Sequence, residues 1–296
     1  MEGMTLLAAT HPEFLDLFPA GASLTRLAGG FTWVEGPVAL PEVDAVIFSD
    51  VRQNRTWRWS GAGGLREEMN PSDYQNGHTL DAQGRLIACS HGQRALVRQE
   101  QDGHWTLLAG TYEGRKLNSP NDAALHPGGS LWFSDPTYGL DNPEEGHGGA
   151  KEQPGNNVYR LAPDGTLTAP IRDRQMPNGL AFAGPDRLYV SDTADSEGHI
   201  YRYRIAPDGA ATPEGRWATI RPGVPDGFRV DEAGRVWSSA GDGVHVLTPE
   251  GEELGRIRVP EIVANLCFGG PDGTDLYITA STGFYHIPIR VRGLRL

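Results

Sequence analysis

The chain has 296 residues, 38% of them hydrophobic, with 26 basic against 38 acidic side chains and a net charge of −12, which allows a globular core in one large domain or two small ones. That acidic balance argues against a nucleic-acid groove or an anionic membrane surface as partner, and it suits cation binding. Two cysteines, Cys89 and Cys267, both in apolar strand-like sequence, offer neither a disulfide framework nor zinc spacing and read as buried free thiols.

At the start of the chain, Glu2 precedes a short apolar run from Met4 to Ala9 that has no basic leader and is too short to span a membrane, so a soluble, cytoplasmic protein is expected. The 39 glycines and 22 prolines are spread along the whole chain and punctuate short apolar runs, an all-β texture. The first strand-like piece, Ser23 to Leu27, stands ahead of a repeating pattern.

That pattern occurs six times: an acid or amide residue opens a short apolar strand, a turn follows, and a second strand ends in small polar residues. In chain order the pairs are Glu35–Leu40 with Val46–Asp50, Asn76–Leu80 with Leu86–His91, and Asn121–Leu125 with Leu131–Asp135. Asn178–Phe182 with Leu188–Asp192, Asp226–Val230 with Val236–Ser239, and Asn265–Phe268 with Leu276–Thr279 complete the set. Further strand-like pieces lie between them, such as Arg55–Trp59, Asn157–Leu161 and His199–Arg204. Units of roughly 40 to 57 residues with four strands each have the size of propeller blades. The fold class is therefore all-β, a six-bladed β-propeller spanning 1–296 as a single domain, with the strand near 23–27 closing the last blade; a β-sandwich is the rival.

In a propeller the first strand of each blade lines the central channel, so equivalent residues converge on the axis. Here they are Glu35, Asn76, Asn121, Asn178, Asp226 and Asn265, each offering a carbonyl or carboxylate oxygen. Any one of the amides alone reads as a turn residue, but six in register, one of them a glutamate, do not. Two carboxylates facing each other across a narrow channel call for a divalent cation. An all-oxygen set suits calcium first, with magnesium or manganese as alternatives and zinc disfavoured. Asp50, His91, Asp135 to Tyr138, and Asp192, at the ends of second strands, are expected to rim the same mouth. The polar, glycine-rich segment 141–150 is either an overhang or a mobile surface loop.

Glu35-Gly36-Pro37, the run Leu117-Asn118-Ser119-Pro120-Asn121-Asp122, the run Phe133-Ser134-Asp135-Pro136-Thr137-Tyr138-Gly139, and Pro177 to Phe182 resemble the gluconolactonase, or regucalcin-like, family over nearly the full length. The resemblance implies that Glu35, Asn121, Asn178 and Asp226 are metal ligands. Asn76 and Asn265, equivalent in position but outside the family's ligand pattern, are assigned to substrate or supporting contacts, and Asn121 and Tyr138 to substrate as well. Lys116 stands where similar members carry arginine, with Arg115 one position earlier, which calls a bidentate grip on substrate oxygens into question.

No serine-esterase elbow, zinc-protease helix or phosphate loop is present, so water is the expected nucleophile. The expected reaction is hydrolysis of a small lactone or ester, with the cation polarising the carbonyl and Asp226 taking the proton of attacking water. Asp122 is the competing base, though strand alternation turns it away from Asn121. His91 is read as a contact for a substrate hydroxyl or a hydrogen-bonded rim residue. A calcium-dependent phosphotriesterase or arylesterase on the same scaffold is the second reading, and a propeller used as a sensor or interaction module the third. The oligomeric state is left open.

Overall fold

The computed structural model describes residues 6–194 and 198–294. Six antiparallel blades stand in a ring, each running outward from an inner strand. The inner strands are Val34–Leu40, Gln75–Leu80, Ala123–Leu125, Pro177–Phe182, Phe228–Val230 and Val263–Gly269. Each pairs with the following strand through a short turn, as the sequence pattern requires. The first blade shows the series in full: Val34–Leu40, Ala45–Asp50, Arg55–Ser60 and Gly64–Met69.

The early strand Thr25–Gly29 is the outermost strand of the sixth blade, pairing Thr25 with His286 and Gly29 with Gly283. An early strand and the last strands of the chain thus share one sheet, which joins the two sides of the ring. Leu7–Ala9 was not foreseen; it adds a fifth strand to the fifth blade by pairing with Glu253–Arg258. Behind it, the 3-10 turn Pro12–Leu17 buries Phe14 and Leu17 against Trp237, Ile257 and Tyr285.

Most of the hydrophobic core lies between adjacent blades. Ile87 and Leu96 of the second pack with Phe133 and Tyr159 of the third, Trp132 and Val158 of the third with Leu180 and Val190 of the fourth. Val46 and Phe48 of the first meet Tyr277 and Phe284 of the sixth, with Phe48 stacked on Phe284 at 4.4 Å between ring centres. Cys89 and Cys267 are buried free thiols. Among the described residues no helix is long and apolar enough to cross a membrane.

The inner strands approach one another closely. The amide of Gly77 donates to the carbonyl of Asn121 at 2.8 Å, and that of Gly179 to the carbonyl of Asp226 at 3.1 Å. A Cβ on Gly179 would sit 2.1 Å from the Asp226 oxygen, so only glycine permits this contact. Gly36 has a further reason, since its φ of +52° lies in the left-handed region.

Candidate functional site

The opening residues of the inner strands converge at one mouth of the channel. Pairing registers shift beside them, between Glu35 and Val38, Gln75 and His78, Pro177 and Leu180, and Val263 and Asn265. Such bulges re-aim side chains. Hydroxyls on the second strands hold the ring backbone in place. Ser49 Oγ donates to the carbonyl of Asn76 at 3.0 Å, Ser191 Oγ to that of Asp226 at 3.0 Å, and Thr279 Oγ1 to that of Asn265 at 3.1 Å. The amide of Asp226 in turn donates to Ser239 Oγ at 2.8 Å. The small polar ends of the second strands are thus the seat of the ring.

The amides form a directed chain around the mouth. Asn76 Nδ2 donates to Asn121 Oδ1. Asn121 Nδ2 donates to Asn178 Oδ1 at 2.5 Å, and Asn178 Nδ2 lies 3.4 Å from the Tyr138 hydroxyl, which also contacts the Thr193 hydroxyl. Glu35 is buried, Asp226 is half-buried, and the two carboxyl groups are hydrogen-bonded to each other. Loss of hydration raises Glu35 well above the usual carboxylate range, with the Asp226 charge adding to it. Burial raises Asp226 as well, followed by the Asp122 charge. Each carboxylate thus disfavours ionisation of the other, and a positive charge between them would offset both.

Among the described residues neither Glu35 nor Asp226 forms an ion pair, and no three His, Cys, Asp or Glu side chains cluster as a metal site of their own. A cation here would need the amide oxygens of Asn121 and Asn178 beside the two carboxylates. That set is hard, all-oxygen and carries two uncompensated acids, so the residues fit a divalent ion of the calcium or magnesium type.

His91 and Tyr138 reach this mouth. His91 is buried, with Nε2 3.3 Å from Asn76 Nδ2 and 3.3 Å from Asn121 Oδ1. Its Nδ1 donates to the carbonyl of Glu145 at 2.9 Å, which leaves Nε2 as the acceptor in the neutral ring. Burial holds the imidazole below its ordinary pKa. The 141–150 segment is tied down by this bond and by Arg52, whose Nε and Nη2 donate to Glu145 Oε1 at 3.0 and 2.9 Å. Arg52 also lies over the Trp33 ring at 5.3 Å.

Three acids expected at the rim are engaged elsewhere. Asp50 accepts the amides of Thr32 and Trp33 at 3.0 and 3.1 Å, Asp135 that of Asn118 at 2.9 Å, and Asp192 those of Gln175 and Met176 at 2.8 and 2.9 Å. All three are buried and pin the segment that enters each inner strand, because a carboxylate at that position finds unpaired N–H groups before it finds the channel. Blade two carries His91 in place of this acid, which frees the position for the site.

Asp122 does face the channel, one layer below the ring, because the segment before Ala123 is not regular strand and alternation does not govern it. Its Oδ2 lies 3.4 Å from Arg229 Nη1, and it is also hydrogen-bonded to Asn265. Burial raises its carboxyl, opposed by the Arg229 charge. Asn265 is buried in that lower layer, packed where Gly227 lacks a side chain. Lys116 is exposed on the hairpin Thr111–Lys116, with its backbone amide on Glu152, and no hydrogen bond or ion pair among the described residues joins it to the ring. Arg52, Thr193 and Arg229 were not anticipated, and Glu145 entered only as part of the 141–150 segment read as an overhang or a mobile loop. Of the other three, Arg229 left a sequence trace, as the one cation at a repeat position held elsewhere by Val38, Thr79, Ala124, Ala181 and Phe268.

Residues 33–282 match the SMP-30/Gluconolactonase/LRE-like region. A gluconolactonase from Zymomonas mobilis is 30% identical over 99% of this chain and 88% of its own. A solved structure, itself assigned only provisionally to the gluconolactonases, is 61% identical with a TM-score of 0.96, covering 98% of this chain and 100% of that one. The structure of a Xanthomonas campestris gluconolactonase is 35% identical with a TM-score of 0.91, covering 97% and 95%. With its six blades, its ring of acids and amides, and these relatives, the chain belongs to the SMP-30/gluconolactonase/LRE-like family.

Proposed function

We propose that this protein hydrolyses a sugar lactone of the gluconolactone type, with one divalent cation, calcium first, held by Glu35, Asn121, Asn178 and Asp226. The observation that carries this reading is the contact between the Glu35 and Asp226 carboxyls at a mouth otherwise lined by amides, in a chain whose relatives include gluconolactonases.

When bound, the cation would supply positive charge to polarise the lactone carbonyl and offset the charge that builds on its oxygen. Asp226, the more exposed of the two acids, is the base that takes a proton from the attacking water. The water oxygen bonds to the carbonyl carbon, the ring C–O bond breaks, and the proton held by Asp226 passes to the departing ring oxygen. His91 Nε2, Asn76 and the Tyr138 hydroxyl are placed to hold substrate hydroxyls at the mouth. Asp122, turned toward Arg229 and Asn265, keeps those side chains in register beneath the ring.

The test is ring opening of glucono-δ-lactone followed by proton release, with calcium and after thorough chelation. No rate above spontaneous hydrolysis with any sugar lactone overturns the substrate reading. A rate unchanged by chelation overturns the metal reading alone. Aryl esters and a phosphotriester run in the same assay test the alternative esterase activities on this scaffold.

A further inference from the structure

The channel has a second mouth, and its chemistry is the reverse of the first. A cavity of about 420 Å³ opens there. Its walls are the far ends of the inner strands, and Leu40, Leu80, Leu125, Phe182, Val230 and Phe268 are among the residues that line it, one from each blade.

One cation projects among these walls from an inner strand, Arg229, three residues beyond Asp226. Its Nη1 is anchored by the Phe228 carbonyl at 2.8 Å and by Asp122 Oδ2 at 3.4 Å. Its Nε and Nη2 make no hydrogen bond or ion pair among the described residues, and about a fifth of the side chain is exposed, at 20%. The other interior titratable groups are occupied or uncharged. His78 has Nδ1 on the Gly36 carbonyl at 2.8 Å and Nε2 3.3 Å from Gln75 Oε1, and Cys267 is a buried thiol. At the outer edge Arg292 spends its Nε on the Asp272 carbonyl, and Asp44 is the acid.

We propose that this cavity is a second binding site, separate from the acid-and-amide mouth, for a small organic carboxylate with an apolar body. Its carboxylate sits on the open Nε–Nη2 edge of Arg229, and its hydrocarbon part lies against Leu80 and Leu125. The guanidinium edge presents two parallel N–H donors, the geometry a carboxylate accepts best. Its orientation is already set by the Phe228 and Asp122 contacts, so little is lost in ordering it. The cavity volume lies in the range of small-molecule sites. If Arg229 served only to neutralise Asp122, one nitrogen at 3.4 Å would be a poor use of the fork, and the better-shaped edge would not be left toward an apolar cavity.

Calorimetric titration of the full chain tests this, with benzoate as the anionic probe and benzyl alcohol as its neutral counterpart. Chelator is kept in the cell so that no cation at the opposite mouth contributes, and the readout is independent of lactone hydrolysis. Saturable one-to-one binding of benzoate is expected, with benzyl alcohol at least about tenfold weaker. Arg229→Gln should weaken benzoate by about tenfold or more and leave benzyl alcohol unchanged. Ala124→Phe, which fills the cavity and keeps the cation, should remove both, and it serves if Arg229→Gln does not fold. No binding up to about 10 mM, equal affinity for the two probes, or benzoate affinity unaltered in either variant overturns the proposal.

Discussion

His91 donates from Nδ1 to the backbone carbonyl of Glu145 at 2.9 Å, while the carboxylate of that same glutamate is held by two nitrogens of Arg52. One residue of the 141–150 segment therefore sets the tautomer of the histidine at the mouth and also fastens the segment in place. Because Glu145 is buried, the Arg52 pair is screened less than a surface ion pair.

Arg52→Ala should act through this bond. The segment loses its anchor, His91 loses a fixed tautomer, and KM for the lactone should rise several-fold with a smaller change in kcat. Amide hydrogen exchange across 141–150 should speed up in the same variant. Unaltered exchange there would refute the anchoring role whatever the kinetics show.

The two carboxyls of the ring should separate in function. Glu35→Gln keeps the shape but removes a charge from the cation site, so calcium affinity should fall by an order of magnitude or more, with activity partly restored at high calcium. Asp226→Asn removes the base as well, and kcat should drop by roughly 10²–10⁴-fold with no recovery on adding calcium. Equal rescue of both variants by calcium would rule out a base role for Asp226.

Calcium and protons compete for the same pair. Burial raises both carboxyls above their unfolded values, so the metal-free fold is favoured below the ordinary carboxylate range and loses that contribution as pH climbs through the raised values. A cation favours the ionised form. The calcium-induced rise in melting temperature should therefore grow from pH 5 to pH 8. A calcium shift that is flat or larger at pH 5 would contradict the raised carboxyls of the site.

Gly179→Ala places a Cβ 2.1 Å from the Asp226 carbonyl oxygen, a backbone atom that cannot step aside. The expected cost is about 1–3 kcal/mol of stability, with weaker calcium binding because Asp226 is displaced from its neighbours. Denaturant unfolding and calcium titration would check the two effects, and wild-type values for both would mean that the strands can part at that point.

Asp192→Ala should be a stability variant. It removes the charged acceptor shared by the amides of Gln175, Met176 and Ala194, and since these amides are only partly buried the expected cost is about 1–3 kcal/mol in all. The folded fraction should retain its calcium affinity. A selective loss of calcium binding at full stability would return Asp192 to the rim.

Six copies of one strand pattern were enough to establish the propeller and to bring Glu35, Asn76, Asn121, Asn178 and Asp226 to one mouth, because a repeat carries each equivalent residue to an equivalent place around the axis; in the sixth blade the register is one residue off, since the Gly227 amide bonds to the carbonyl of Ala264 and not to that of Asn265. What the repeat could not convey is where a side chain turns once it arrives. Asp50, Asp135 and Asp192 lie at strand ends near the mouth but bond to the amides of the entering segments, and Asn265 faces Asp122 one layer below the ring. Contacts that depend on unrepeated segments were also invisible. Glu145, for example, reaches His91 from an irregular connection within the third blade. Periodicity determines position around the ring, whereas hydrogen-bond competition and the paths of irregular loops, settled only in the packed chain, determine which of those positions form the site.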